Sequence, residues 1–446
     1  MLWKERHFTP SRIILSGFMC LILSGTFLLM LPISSKTGNW TPFIDALFTA
    51  ASASCVTGLV VYDTATYWSL FGQIVIILMI QIGGLGIITF GIAASVITRK
   101  KIGLRQRWIM QESISAPQLG GIVKLTGFIL RTAFGIELIG MLFLSLRFCP
   151  RFGLLKGMWY SAFHSVSAFC NAGFDLMGID GKFGSLTGFC GDILINIVIS
   201  LLIIIGGIGF LTWYDIRLYG FRVRKYSLQS KIIIVTTFFL IIAGFIFFIS
   251  EFIQPQWDVL TWKERILAAF FQSVTPRTAG FNTVDLMNMS QPALLIMIIF
   301  MLIGGSPGST AGGFKTTTLA AMLLSIRASF RKWGNIKVFR RRLSENILVN
   351  AVSVFMLYLC LFLTGGIVVS YAEGIPILSA LFEAASAIGT VGLTVGITPE
   401  LTIASKVILI ALMYFGRTGA LTLLYSIWGN RKEDIAEVPE GRITIG

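Results

Sequence analysis

Apolar runs long enough to cross a bilayer alternate along this chain with apolar runs that are too short to do so. A helical crossing needs about 20 apolar residues. Runs of that kind predict spanning helices over about 13–35, 68–97, 122–146, 192–212, 232–250, 292–325, 347–371 and 402–428. Between the two members of each pair lies a shorter helix, from Thr41 to about Ser54 in the first pair and near 158–169, 264–275 and 376–388 in the others. Thr41 and Pro42 read as the N-cap and first helical residue of the first short helix, and Pro376 stands at the same place in the fourth. Each short helix runs into a glycine-containing loop, so one unit is helix, half-helix, loop, helix.

The loops set the period. A Phe followed at ten residues by Gly and an apolar neighbour occurs at Phe48 to Gly58, Phe163 to Gly173, Phe270 to Gly280 and Phe382 to Gly392. Successive glycines are 115, 107 and 112 residues apart, which marks four versions of one unit. The expected fold is an all-α membrane protein of four tandem repeats, with eight transmembrane helices and four re-entrant loops around one pseudo-fourfold pore. The repeats divide the chain at 1–98, 99–218 with its cytoplasmic loop, 219–330 with a broken second helix, 331–430, and a cytoplasmic tail at 431–446.

Composition agrees with that class and adds a direction. Hydrophobic residues are 55% and charged residues 13% of the chain, against roughly 25% charged in an ordinary soluble domain. The six cysteines are scattered without CxxC spacing, which implies neither a disulfide framework nor a zinc site. A formal net charge of +15 raises the question of nucleic acid, but its placement answers it. The N-terminus, 98–124, 212–231, 327–342 and the tail hold 24 of the 36 Lys and Arg residues, so these segments and both termini are expected in the cytoplasm. The half-helices then enter from outside.

Non-helical backbone at membrane depth is tolerated only when it is buried in protein or faces a water-filled cavity. Four such loops must therefore meet at an axis. Glycine permits backbone angles closed to other residues, a ring of carbonyls replaces a cation's hydration shell, and half-helices ending at mid-membrane aim their negative ends at it. The candidate cation-filter residues are Val56, Thr57 and Gly58; Asn171, Ala172 and Gly173; Thr278, Ala279 and Gly280; and Thr390, Val391 and Gly392. With four such loops at matched positions, the chain resembles the Trk/Ktr/HKT superfamily of potassium transporters, and within it the bacterial Ktr membrane subunits, over about residues 12 to 430. The resemblance implies potassium uptake through one filter, with glycine at all four positions matching K+ rather than Na+ permeation. It also implies a homodimer docked on a ring of cytosolic nucleotide-binding regulatory subunits of the Ktr type. The tail after Trp428 is short, so nucleotide sensing is expected from that ring, with no cofactor bound here, K+ as the transported ion and Na+ as a possible requirement. A cation-coupled secondary transporter or a Na+-permeable relative is the alternative, although such transporters usually carry titratable residues at a midplane site.

The second spanning helices carry their own register: Gly83-Gly84-Leu85-Gly86, Gly206-Gly207-Ile208-Gly209, Gly304-Gly305-Ser306-Pro307 and Gly416-Arg417-Thr418-Gly419. Arg417 stands where the others have Gly. A charge at mid-membrane costs on the order of 3 kcal/mol, so Arg417 is expected to face a watery cavity; pairing with a carboxylate is the bland reading. The third unit departs further, with GGSPGSTAGGFKTTT in mid-span, too rich in Gly and Pro for a continuous helix. Gly304, Gly305, Ser306, Gly308, Gly312, Gly313 and Lys315, together with Arg417, are the candidate gate, which the resemblance identifies as an intramembrane gating loop. Its likeness to a nucleotide P-loop fails, because Phe314 separates Gly313 from Lys315 and no strand precedes it. His164 is expected to pack or cap rather than bind metal, Asp63, Asp175 and Asp285 to gather cations at the mouth or form solvated turns, and Arg131 and Glu137 to satisfy one another or a neighbouring helix. Two histidines and no paired carboxylates within a span leave no catalytic constellation, so an enzyme is not expected.

Overall fold

The computed structural model describes residues 9–87, 89, 103–114, 120–179, 181–331 and 336–419. The tail at 431–446, the ends of the spans expected over 68–97 and 402–428, and residues 98–102 and 115–119 of the first long loop lie outside them. The first helix of each repeat is Pro10–Met30, Ile122–Phe152, Leu228–Phe252 and Glu345–Glu373, each long and apolar enough to cross a membrane. Each exposes large apolar side chains such as Phe27, Phe134, Phe238 and Ile367. Such surfaces suit lipid and would be an association hazard in water.

The half-helices are Phe43–Cys55, Leu154–Phe169, Trp262–Val274 and Ile377–Gly389, within a few residues of the expected bounds. They are the buried centre of the molecule: Phe48, Ala50, Ala53, Phe163, Ala168, Phe382 and Ala385 are fully enclosed. Small residues let the four loops converge, and each half-helix packs against the outer helix of its own repeat. Pro42 and Pro376 occupy the N-cap position, one residue earlier than expected, and Thr41 does not cap. Its hydroxyl instead lies 3.0 Å from the Tyr67 hydroxyl. The third half-helix starts with a full capping box of Thr261 and Glu264, whose carboxyl is held below the usual carboxylate range by the Thr261 N–H and hydroxyl.

The second helices depart from the expected continuous spans. An interruption was expected only in the third, between Gln291–Leu302 and Thr316–Phe330. In fact Leu70–Leu85 and Ile403–Thr418 also stop, and Ile193–Gly207 turns by 96° into Phe210–Tyr219. The cause is the fourth residue of each tetrad. Gly86, Gly209 and Gly419 take φ of 90°, 94° and 84°, a region that ends an α-helix and that side chains avoid. Pro307 stands at the matching place in the third repeat.

Two local elements break the expected pattern of helices and loops. Lys337–Val338 pairs antiparallel with Arg341–Arg342, joined by Phe339 and Arg340 in the left-handed region that a tight hairpin turn requires. Leu104–Ile114 is helical within a segment expected to be a loop, and the Ser11 hydroxyl ties it to the first spanning helix by donating to Glu112 at 2.6 Å. A buried ion pair joins the first and fourth repeats: Lys406 Nζ is 2.8 Å from Asp45 Oδ1, and Tyr62 donates to the other carboxylate oxygen at 2.8 Å.

Candidate ion pathway

All four loops share one backbone course. Val56, Asn171, Thr278 and Thr390, each two residues before the glycine, take left-handed φ of 59°, 58°, 71° and 51°. Gly58, Gly173, Gly280 and Gly392 follow at 94°, 69°, 81° and 94°. A β-branched Val or Thr in the left-handed region is strained, and the surrounding half-helix holds it there. Thr57 N and Val391 N each donate back to the half-helix end, to Ser52 O and Ser386 O at 2.8 Å.

The glycines close a ring. A side chain on Gly58 would bring its Cβ 2.5 Å from the Ala172 carbonyl oxygen, and one on Gly173 would come 2.8 Å from that of Ala279. Gly280 faces the Val391 carbonyl and Gly392 the Thr57 carbonyl in the same way. Each repeat thus abuts the next and the fourth returns to the first, so the residues expected to form the filter are brought together around one axis. Above the ring, a cavity of about 50 Å³ is lined by all four glycines with Asp63 and Asp175. Asp285 is an exposed turn residue that accepts from Met287 N, and it lines no part of that mouth.

Hydroxyls that the sequence reading passed over brace this ring. Ser52 Oγ and Ser386 Oγ accept from the N–H of Gly58 and Gly392 at 3.0 Å, and the Ser167 hydroxyl donates to Phe174 O at 2.7 Å. All three lie six residues before the glycine, a signal visible in the sequence. In the third repeat the brace is Thr275, five residues before, donating to Phe281 O at 2.5 Å. That offset exposes an error of register. The third loop is one residue shorter than the others, so the enclosed anchor is Phe271, while Phe270 is only partly buried. The residue after each anchor is then Thr49, His164, Gln272 or Glu383, and all four are buried polar groups. His164 accepts from Leu176 N at 3.3 Å and contacts Tyr160 O at 2.7 Å; Glu383 accepts from the Thr398 hydroxyl at 2.9 Å and from Thr394. These two side chains pin the chain leaving the ring. Arg277 points away from the axis to Thr237 Oγ1 at 3.3 Å.

Below the ring the glycine tetrads explain themselves. Gly83, Gly206 and Gly416 lie against the carbonyls of Ser54, Phe169 and Ile388 at the ends of their own half-helices, where no Cβ fits. In the third repeat Gly304 lies against Gly312 O, so the loop 303–315 folds back beneath the ring. Gly312 in turn abuts the Thr390 side chain. Ser306 N donates to Gly207 O at 2.9 Å, Phe210 N to Gly308 O at 2.6 Å, and the Ser306 and Thr316 hydroxyls are 3.0 Å apart. Lys315 Nζ donates to Ala311 O and Gly312 O at 2.9 and 3.2 Å, closing the loop on itself.

Arg417 joins these parts. Its guanidinium donates to Thr310 O in that loop, to Gly83 O, and to Gly84 O at 2.8 Å, so one side chain from the fourth repeat grips the third and the first. Its partners are carbonyls, not a carboxylate. Arg417 and Lys315 both line a cavity of about 270 Å³ beneath the ring, with Gly84, Gly313, Glu112 and Tyr358. Glu137 does not meet Arg131; it accepts from Gln81 Nε2 at 2.8 and 3.0 Å, bonding the first and second repeats.

The sequence profile of the TrkH family, described as cation transport protein, matches residues 6–428. The chain is 42% identical to a potassium/sodium uptake protein, NtpJ, of Enterococcus hirae, over 99% of this chain and 98% of that one. It is 41% identical, with the same coverage, to Ktr system potassium uptake protein B of Bacillus subtilis. The crystal structure of the potassium transporter TrkH from Vibrio parahaemolyticus superposes with a TM-score of 0.74 at 18% identity, covering 95% of this chain and 86% of that one. With a four-repeat fold and a family match along nearly its whole length, the chain belongs to the TrkH family of cation transport proteins.

Proposed function

We propose that this chain takes up potassium across the bacterial plasma membrane as the ion-translocating subunit of a Ktr-type system. The observation that carries the reading is the closed ring of Gly58, Gly173, Gly280 and Gly392, each against the carbonyl of the next loop. In this reading Val56 to Gly58, Asn171 to Gly173, Thr278 to Gly280 and Thr390 to Gly392 offer backbone oxygens in place of water, and none of the twelve side chains titrates. Asp63 and Asp175 raise the local cation concentration at the mouth. The loop from Gly304 to Lys315 and Arg417 obstruct the exit and move aside for conduction. The four repeats are bounded at 98, 218, 330 and 430, both termini are cytoplasmic, and the basic inner loops of a homodimer dock a nucleotide-binding ring. Sodium passage is a second reading, favoured by the Enterococcus hirae relative, which is named for both ions.

The test is flux in liposomes with imposed gradients, using the purified chain with and without a Ktr regulatory ring. Potassium flux down its own gradient, with Na+ competing weakly, supports the reading. Flux that requires an opposing or accompanying proton gradient replaces it with a coupled transporter, and equal Na+ and K+ flux replaces it with the second reading.

A further inference from the structure

At the end of Ile122–Phe152 remote from the half-helix, the helix and the bent segment Phe210–Tyr219 enclose a groove of about 530 Å³. Lys124 and Arg131 share one face of the helix with Phe128, since they are separated by two turns. Arg217 comes from the bent segment, with its guanidinium 4.9 Å from the Phe128 ring centroid and Tyr214 packed edge-on to the same ring at 5.8 Å. All three cations are exposed. No carboxylate lines the groove among the described residues. The two nearest in sequence are engaged elsewhere: Glu137 with Gln81, and Asp215 accepting from Ser227 N at 2.9 Å.

Arg131 stands nine residues, about 13 Å, inside the helix from Ile122. An arginine within an apolar span is normally paired or faces water, yet here it opens into the groove beside Val123, Phe128 and Leu218. We propose that this groove is a binding site for one anionic phospholipid of the leaflet opposite the half-helix entrances. Its phosphate sits among Lys124, Arg131 and Arg217, and an acyl chain lies along Phe128 and Leu218. The charge complement selects an anion, and the apolar wall with the depth of Arg131 selects a lipid over free phosphate. The 96° turn after Gly207 makes the site, because a straight helix would carry Arg217 away from Phe128.

The experiment is native mass spectrometry of the purified full chain with equal phosphatidylglycerol and phosphatidylcholine, repeated with excess inorganic phosphate. The parent is expected to retain phosphatidylglycerol preferentially and to keep it against phosphate, while Arg131→Gln and Arg217→Gln each weaken the preference about fivefold. Arg131→Lys keeps most of it. Equal retention of both lipids by the parent, displacement by phosphate, or an unchanged preference in the double glutamine variant overturns the proposal. A double variant that alters oligomeric state with lipid preference intact makes the groove a contact between copies and overturns it as well. The parental comparison needs no variant to fold, and none of these readouts depends on potassium flux.

Discussion

Gly58→Ser tests the ring at its least forgiving point. The residue sits at φ 94°, where a side chain costs about 1–3 kcal/mol of backbone strain. The added Cβ lies 2.5 Å from the Ala172 carbonyl oxygen, so that oxygen must retreat by about 0.9 Å to reach the 3.4 Å of ordinary contact. The Gly173 Cα, at 3.1 Å, blocks the alternative of shifting the serine. A carbonyl drawn back that far no longer touches an ion at the axis, and losing one ligand of the ring is expected to weaken apparent potassium affinity at least tenfold, about 1.4 kcal/mol. Selection over sodium falls with it, because the smaller ion tolerates a distorted cage and its remaining water. The assay is potassium uptake against a sodium series in cells lacking their own potassium uptake. Gly38→Ser is the control: φ there is 71°, but nothing lies within 4 Å of the new Cβ, so strain is introduced without crowding a carbonyl. Unchanged affinity and sodium exclusion in Gly58→Ser, or an equal loss in Gly38→Ser, refutes the reasoning.

Arg417→Gln keeps an amide donor but removes the charge and two of the three grips, so maximal flux is expected to rise with expression intact; loss of protein without a gain in flux marks Arg417 as a brace only. Deleting Gly308 to Gly312 removes the Thr310 oxygen that Arg417 holds and the Gly308 oxygen that Phe210 holds, and flux is expected to rise and lose its response to the regulatory ring. A well-made deletion with parental flux and full response rules the gate out. Lys406→Met strands the Asp45 carboxylate in a buried site and is expected to cost about 3–5 kcal/mol, read as a lower unfolding temperature in detergent, with Asp45→Asn in the same chain restoring most of it. If the double variant is no more stable than the single one, the pair does not couple the first and fourth repeats.

Much of this architecture was legible because membrane depth imposes a strict rule on the backbone. Runs such as Ile122–Phe152 must be helices, and a Gly-centred loop after a short apolar helix must be enclosed by protein. The four glycines, the tetrads and Arg417 follow from position alone, since each repeat answers for the others. Internal comparison also misled where composition mimicked register: Phe270 stands ten residues before Gly280, yet Phe271 is the anchor because the third loop is one residue short. The bracing serines were present at a constant spacing but carried no chemistry until their partners were known.

What the sequence determined by itself is therefore the class, the repeat and the identity of the converging loops, all consequences of hydrophobic length and local backbone freedom. Only the tertiary structure decided which group each polar atom meets. Arg417 found carbonyls of two other repeats rather than a carboxylate, Glu137 chose Gln81 over Arg131, and Gly86, Gly209 and Gly419 became breaks in helices whose apolar runs read as continuous. These outcomes depend on atoms brought together from more than fifty residues apart or, for the glycines, on whether packing favours a bend the residue merely permits. Local propensity allows several answers at such positions, and the packing of four repeats around one axis selects among them.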